Sequence, residues 1–196
     1  MPKSIKTLCL YCGASKGNSP IYTDAAIQIG ERIAQRGNTL VYGAGNVGLM
    51  GVAADAALNN HGEVIGVIPE SLMEWEVAHT GITRLEIVST MHERKMRMFD
   101  ISDGFIAMPG GFGTMDEMFE MLTWRQIGIA DKPCAFWNVN GYWSPLRVML
   151  DKMVEQGFVL QSQRDDLYFG DSLDDMLDWM DAYEPAPVSK RDAVKR

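Results

Sequence analysis

The feature that most constrains this chain is a regular alternation of short apolar runs with longer segments of helical periodicity, carried over most of its 196 residues. The apolar runs are Thr7–Cys12, Thr39–Tyr42, Glu63–Ile68, Arg84–Val88, Gly104–Met108 and Pro133–Trp137. Between them lie helical patterns near Pro20–Gln35, Gly48–Asn60, Met91–Ile101, Thr114–Ile127 and Pro145–Glu155. Runs such as Val64-Ile-Gly-Val-Ile68 lack polar alternation, so both faces of the strand must be covered. Strand–helix alternation at this spacing predicts an α/β fold, a parallel sheet with helices on both faces. No repeat or long linker interrupts it, and the length suits one domain, expected to span residues 1–182. After Gly157 the pattern weakens until an acidic helix near Leu173–Ala182. Residues 183–196, with two prolines and a basic end, are expected to form a mobile tail.

In an open parallel sheet, ligands sit outside the carboxyl ends of the strands. Three glycine-bearing loops follow strands there: Cys12-Gly-Ala-Ser-Lys-Gly17, Gly43-Ala-Gly-Asn-Val-Gly48 and Pro109-Gly-Gly-Phe-Gly-Thr114. Glycine lets backbone N–H groups approach an anion, and the following helix adds its positive end. Any one loop can be no more than a tight turn. Three in one sheet favour a phosphate-bearing ligand, with Gly13, Ser15 and Gly45 as candidate contacts.

Composition narrows the class further. A net charge of -8 argues against a general nucleic-acid binder, which needs a basic face. No run has the length of a membrane span or the pattern of a signal peptide, and three cysteines suit a reduced, cytoplasmic protein. Cys9 and Cys12 fall on one strand with opposite faces and have no second ligand pair, which excludes a zinc site of that kind. His92 likewise has no ligand at metal spacing, so neither metal nor cofactor is expected.

Two segments carry candidate chemistry. In Pro109-Gly-Gly-Phe-Gly-Thr-Met-Asp-Glu117 the amides of Gly110, Gly111 and Gly113 and the Thr114 hydroxyl can hold a phosphate. Glu117 then stands one turn into the helix, within reach of what the loop holds. Thr114-x-x-Glu117 reads equally well as a capping box. In Met91-His-Glu-Arg-Lys-Met-Arg-Met98, Arg94 falls on the apolar stripe of Met91, Met98 and Ile101, with Lys95 beside it. An inward arginine is costly unless it meets an anion or a structural carboxylate. Glu76, in the connection after the third strand, reads by composition as a surface charge.

Together these segments resemble the signature pair of the LONELY GUY family of cytokinin riboside 5′-monophosphate phosphoribohydrolases. Cys12-Gly-Ala-Ser, Gly48-Leu-Met-Gly51, Gly66-Val-Ile-Pro69, Thr123-Trp124, Asp131-Lys-Pro133, Asn138-Val-Asn-Gly-Tyr142 and Glu155-Gln-Gly-Phe158 extend the resemblance over roughly residues 5–160. It implies a Rossmann-like, usually dimeric protein that cleaves an adenine-type ribotide, cytokinin riboside monophosphate or AMP, into free base and ribose 5-phosphate. The family's catalytic arginine and glutamate fall on Arg94 and Glu117. Its substrate contacts fall on Glu76, Lys95, Gly111, Phe112, Gly113, Thr114 and Thr123. Two loops depart from the family pattern, the first with Ala14 where serine is common and the second with Ala44 where glycine is, and the extra methyl is expected to alter phosphate approach slightly.

Cleaving an N-glycosidic bond builds positive charge on the ribose, which Glu117 can stabilise while holding the attacking water. Arg94 then serves the departing base or the phosphate, donating a hydrogen bond rather than a proton. Rival readings are a nicotinamide-dependent oxidoreductase, since Gly43-x-Gly45-x-x-Gly48 matches the dinucleotide fingerprint, and a non-catalytic nucleotide binder. A lysine decarboxylase, a label often attached to this family, finds no support in these residues. The helix after Thr114 is apolar nearly all round, which predicts either a two-fold subunit interface or deep burial.

Overall fold

The computed structural model describes residues 5–73 and 77–185. Among the described residues, seven parallel strands form one sheet in the order β4-β3-β2-β1-β5-β6-β7. The strands are β1 (Thr7–Tyr11), β2 (Thr39–Tyr42), β3 (Val64–Pro69), β4 (Arg84–Val88), β5 (Gly104–Ala107), β6 (Cys134–Trp137) and β7 (Tyr168–Gly170). The helices are α1 (Pro20–Gln35), α2 (Gly48–Asn59), α3 (Met91–Ile101), α4 (Phe112–Gln126), α5 (Ser144–Glu155), α6 (Gln161–Asp165) and α7 (Leu173–Asp181). The expected α/β architecture holds, and six strands sit where the apolar runs place them.

The alternation of β1 shows how two cores arise. Leu8, Leu10 and Cys12 face one layer, with Ile29 and Ile33 of α1, Ala53 of α2 and Met176 of α7. Cys9 and Tyr11 face the other, with Met98 of α3 and Met118 and Met121 of α4. Small residues set the first layer's spacing: a Cβ on Gly30 of α1 would lie 2.2 Å from the Ala53 carbonyl oxygen, so α1 and α2 touch nearly backbone to backbone. Aromatic stacking sets the second, with Tyr11, Phe105 and Phe99 in a parallel column and Trp124 edge-on to Phe99.

From the outer strand β4 the chain returns through α3 and pairs β5 on the free side of β1. Strand order therefore reverses between β1 and β5. The loops leaving these neighbours diverge and open a crevice, as doubly wound sheets do. Two elements go beyond the sequence expectation: α6 and the three-residue strand β7, which pairs with β6 at the sheet's outer margin. Tyr183, placed in the expected tail, belongs to the body: its hydroxyl contacts Asp166 (3.0 Å) and accepts from Arg125 (2.8 Å). Residues 186–196 lie outside the described residues.

Candidate active site

A cavity of about 690 Å³ fills the β1/β5 crevice. Its walls are the first loop (Cys12 to Gly17), the loop entering α4 (Pro109 to Gly113) and the first turns of α4, with Thr114, Asp116 and Glu117. Arg94 of α3 and the apolar side chains of Leu49, Met50, Leu72 and Met91 complete it, with Tyr22 and Tyr142 also on the wall. The expected pair, Arg94 and Glu117, thus shares one pocket although 23 positions separate them in sequence.

The start of α4 decides between the two readings of Thr114 and Glu117. The helix begins at Phe112 with Gly111 as N-cap and no side-chain cap. Thr114 lies inside the first turn, so the capping-box alternative fails. Its side chain is buried against Gly110, where a Cβ would come within 2.1 Å of Thr114 Oγ1. The Phe112, Gly113 and Thr114 amides have no partner within the helix and carry the positive end of its dipole. Cβ positions on Gly111 and Gly113 meet open space. Phe112 lines the cavity and is 93 % exposed.

Glu117 is half-buried, and its negative charge is felt at the top of β1. Burial is the main cause that pushes the Cys9, Tyr11 and Cys12 side chains toward their neutral forms, and Glu117 adds to it at all three. Cys12 in the pocket wall is accordingly a thiol and not a thiolate. Arg94 is 4 % exposed. Its Nε donates to the Val67 carbonyl (3.1 Å) and one Nη to the Gly43 carbonyl (2.7 Å), which fixes the guanidinium plane between the ends of β3 and β2.

The second loop serves that arginine. A Cβ on Gly43 would lie 1.9 Å from Arg94 Nη2, so glycine here makes room for a cation's side chain. Gly48, with φ at 68°, allows the Ala14 backbone within 2.3 Å of its missing Cβ, and the Leu49 amide donates to the Gly13 carbonyl (3.0 Å). The Ala44 methyl points at Gly66 of β3, away from the cavity, so the expected effect on phosphate approach is not what it does. Gly45 forms a bridge with Ala78, and the Asn46 and His79 amides donate to Val77 and Ala44 carbonyls. His79 Nδ1 accepts from the Gly81 amide, so its Nε2 carries the hydrogen facing Asp55 at 3.0 Å. These glycines buttress the first loop and Arg94, which removes the structural basis of a dinucleotide fingerprint.

The other sequence candidates divide. Gly13 and Ser15 line the cavity, but the Gly13 amide is taken by the Pro109 carbonyl (3.1 Å). Gly45 is absent from the cavity wall. Thr123 also lies away from it, its hydroxyl bonded back to the Phe119 carbonyl (2.7 Å). Lys95 is buried beside the cavity, with Nζ 3.1 Å from Asp116 and 3.2 Å from Glu120. Burial works to lower its pKa, but those two carboxylates outweigh burial and hold it above the ordinary lysine value. A Schiff-base lysine needs the opposite shift. Glu76 lies outside the described residues. Sequence reasoning missed Tyr142, whose hydroxyl donates to the Gly110 carbonyl at 2.5 Å.

A family model described as possible lysine decarboxylase matches residues 50–180. The chain is 44% identical over 176 residues to the probable cytokinin riboside 5′-monophosphate phosphoribohydrolase LOGL1 of Oryza sativa subsp. japonica, covering 90% of this chain and 79% of that protein. It is 42% identical to the cytokinin riboside 5′-monophosphate phosphoribohydrolase LOG1 of Arabidopsis thaliana, covering 92% and 84%. Among solved structures, the molybdenum cofactor binding protein of Rippkaea orientalis superposes with a TM-score of 0.66 at 20% identity, covering 92% of this chain and 97% of that one. That last likeness concerns the fold alone.

Proposed function

The chain belongs to the family of cytokinin riboside 5′-monophosphate phosphoribohydrolases, and on that premise we infer that it hydrolyses adenine-type nucleoside 5′-monophosphates to free base and ribose 5-phosphate. One observation carries the inference to particular residues: the β1/β5 cavity brings Arg94 and Glu117 together beside the uncapped start of α4. We assign the phosphate to the α4 amides and the first loop, where backbone N–H groups and the helix dipole suit an anion. Glu117 lies beside the ribose. As the bond from C1′ to the base breaks, the bonding pair leaves with the base and Glu117 stabilises the oxocarbenium-like ring. Glu117 also takes the proton of the water whose oxygen bonds to C1′ and releases it to solvent, from which the departing base takes one at the ring nitrogen freed by the break. Arg94, fixed by two carbonyls, donates a hydrogen bond to the base as it gains electron density.

A dimer is part of this reading. Deep burial of α4 within one chain is not what the fold provides, since among its residues only Thr114, Met118 and Met121 are fully buried. Phe112, Met115 and the following Ile127 and Ile129 stay exposed. An apolar surface of that kind supports a two-fold subunit contact, and light scattering at micromolar concentration tests it, a monomer counting against it. Three free, buried cysteines support a reducing, cytoplasmic setting. No helix among the described residues is long and apolar enough to cross a membrane.

The decisive experiment incubates the protein with AMP and with N6-isopentenyladenosine 5′-monophosphate and separates the products. Free base with stoichiometric ribose 5-phosphate is the expected result, and the ratio of the two rates gives the preferred base. Release of neither base overturns the reading.

A further inference from the structure

The connection between β6 and α5 reaches the cavity wall at Tyr142. It turns through Asn140 and Gly141, both with left-handed φ, 52° and 72°. Asn138 clamps it: its side-chain oxygen accepts from the Trp143 amide (2.7 Å) and its nitrogen donates to Ser144 Oγ (3.1 Å). Tyr142 packs edge-on against Tyr22 and Trp143 and delivers its hydroxyl to the Gly110 carbonyl.

That bond completes a run. The Pro109 carbonyl accepts from the Gly13 amide, the Gly110 carbonyl from Tyr142, and the Gly111 carbonyl from the Met115 amide at 3.2 Å. In a trans peptide the N–H lies opposite the C=O. Three successive carbonyls held by donors therefore fix the directions of the Gly110, Gly111 and Phe112 amides one peptide at a time. These residues line the cavity at the start of α4, where backbone N–H groups and the helix dipole suit an anion. Two of the three donors are main chain, and Tyr142 is the side chain among them. Nothing packs where a Gly111 Cβ would stand, and glycine has the most conformational freedom to lose. The middle peptide thus depends on the tyrosine hydroxyl.

We propose that Tyr142 is a positioning residue for the substrate's 5′-phosphate, acting through the Gly110–Gly111 peptide and not by contact with the reacting atoms. This rests on the phosphoribohydrolase reading above. Tyr142→Phe keeps the ring and its packing and removes only the hydroxyl, so the melting temperature should stay close to wild type. The expected result is a Kd for ribose 5-phosphate, by calorimetry, weakened about threefold to tenfold, the range of one net hydrogen bond. The KM for AMP should rise by the same factor with kcat nearly unchanged, and the inhibition constant of adenosine, which lacks the phosphate, should not move. Equal weakening for adenosine and ribose 5-phosphate overturns the assignment, because Tyr142 then touches the nucleoside itself. Unaltered ribose 5-phosphate affinity in the variant, with normal wild-type turnover, overturns the role of Tyr142 alone. A wild-type protein that neither binds ribose 5-phosphate nor cleaves AMP overturns the functional reading and this assignment with it.

Discussion

Replacing Gly43 by alanine tests how Arg94 is held. Gly43 lacks the left-handed φ that bars alanine, so the backbone accepts the change. The conflict is with one side chain: the new Cβ would stand 1.9 Å from Arg94 Nη2 and 3.0 Å from its Cζ, with Met50 Sδ at 3.4 Å in ordinary contact. The guanidinium must retreat by about 1.5 Å to restore normal contact distance. The 2.7 Å bond to the Gly43 carbonyl and the 3.1 Å bond to the Val67 carbonyl cannot both follow it. Hydrogen bonds from a charged donor contribute about 1.5–3 kcal/mol each, so losing one lowers stability by about 2 kcal/mol. Displacement of a substrate-facing group by that distance lowers kcat about 100-fold. Ribose 5-phosphate affinity should hold, because the α4 amides lie on another loop. Urea denaturation in two backgrounds isolates the cause. With Arg94→Ala already present, Gly43→Ala removes no bond and only restricts the unfolded chain, so it should stabilise by about 0.4–1 kcal/mol. Equal destabilisation in both backgrounds, or wild-type kcat in Gly43→Ala alone, refutes the reasoning.

Further outcomes follow from the same geometry. Glu117→Gln, with no capping bond to lose, should fold normally and lower turnover by about 10²–10⁴; near-normal turnover removes Glu117 from the chemistry. Lys95 is held above its ordinary value of 10.5 by Asp116 and Glu120. Its stabilising contribution is therefore complete below that pH and disappears as pH climbs through the raised value. The stability gap between wild type and Lys95→Met, measured by denaturant titration, should close in strong alkali. Glu86 behaves oppositely: chiefly its hydrogen bonds to Arg97, 2.6 and 3.0 Å, lower its pKa below 4.5. The advantage of wild type over Arg97→Leu should exist above pH 4.5, shrink as pH falls through the lowered carboxyl pKa, and weaken with added salt. A gap that widens on acidification contradicts the pairing.

The sheet was legible because two-sided burial writes itself into runs such as Val64-Ile-Gly-Val-Ile68, whereas β7 is three partly buried residues at the margin and leaves no comparable run. Arg94 could be singled out because an inward arginine is anomalous on an apolar stripe. The glycine loops were legible as places where backbone comes close, but sequence does not say close to what. In one loop it is solvent and ligand space, in another an arginine side chain and a neighbouring turn. The capping-box alternative at Thr114 fails for a related reason: the cap belongs to whichever residue is extended before the helix, and here that is Gly111. Tyr142 was invisible because a hydroxyl 32 positions from its carbonyl has no periodicity to betray it.

The reversal of strand order has a kinetic corollary. The pocket hangs from β1 and β5, whose Tyr11, Ile106 and Ala107 are almost wholly shielded from solvent, while β4 and β7 at the rims are partly open. Fraying on warming should begin at those rims, where amide exchange is fastest, and reach the centre only with global unfolding. Heat should then abolish catalysis in one cooperative step, with no slow prior decline.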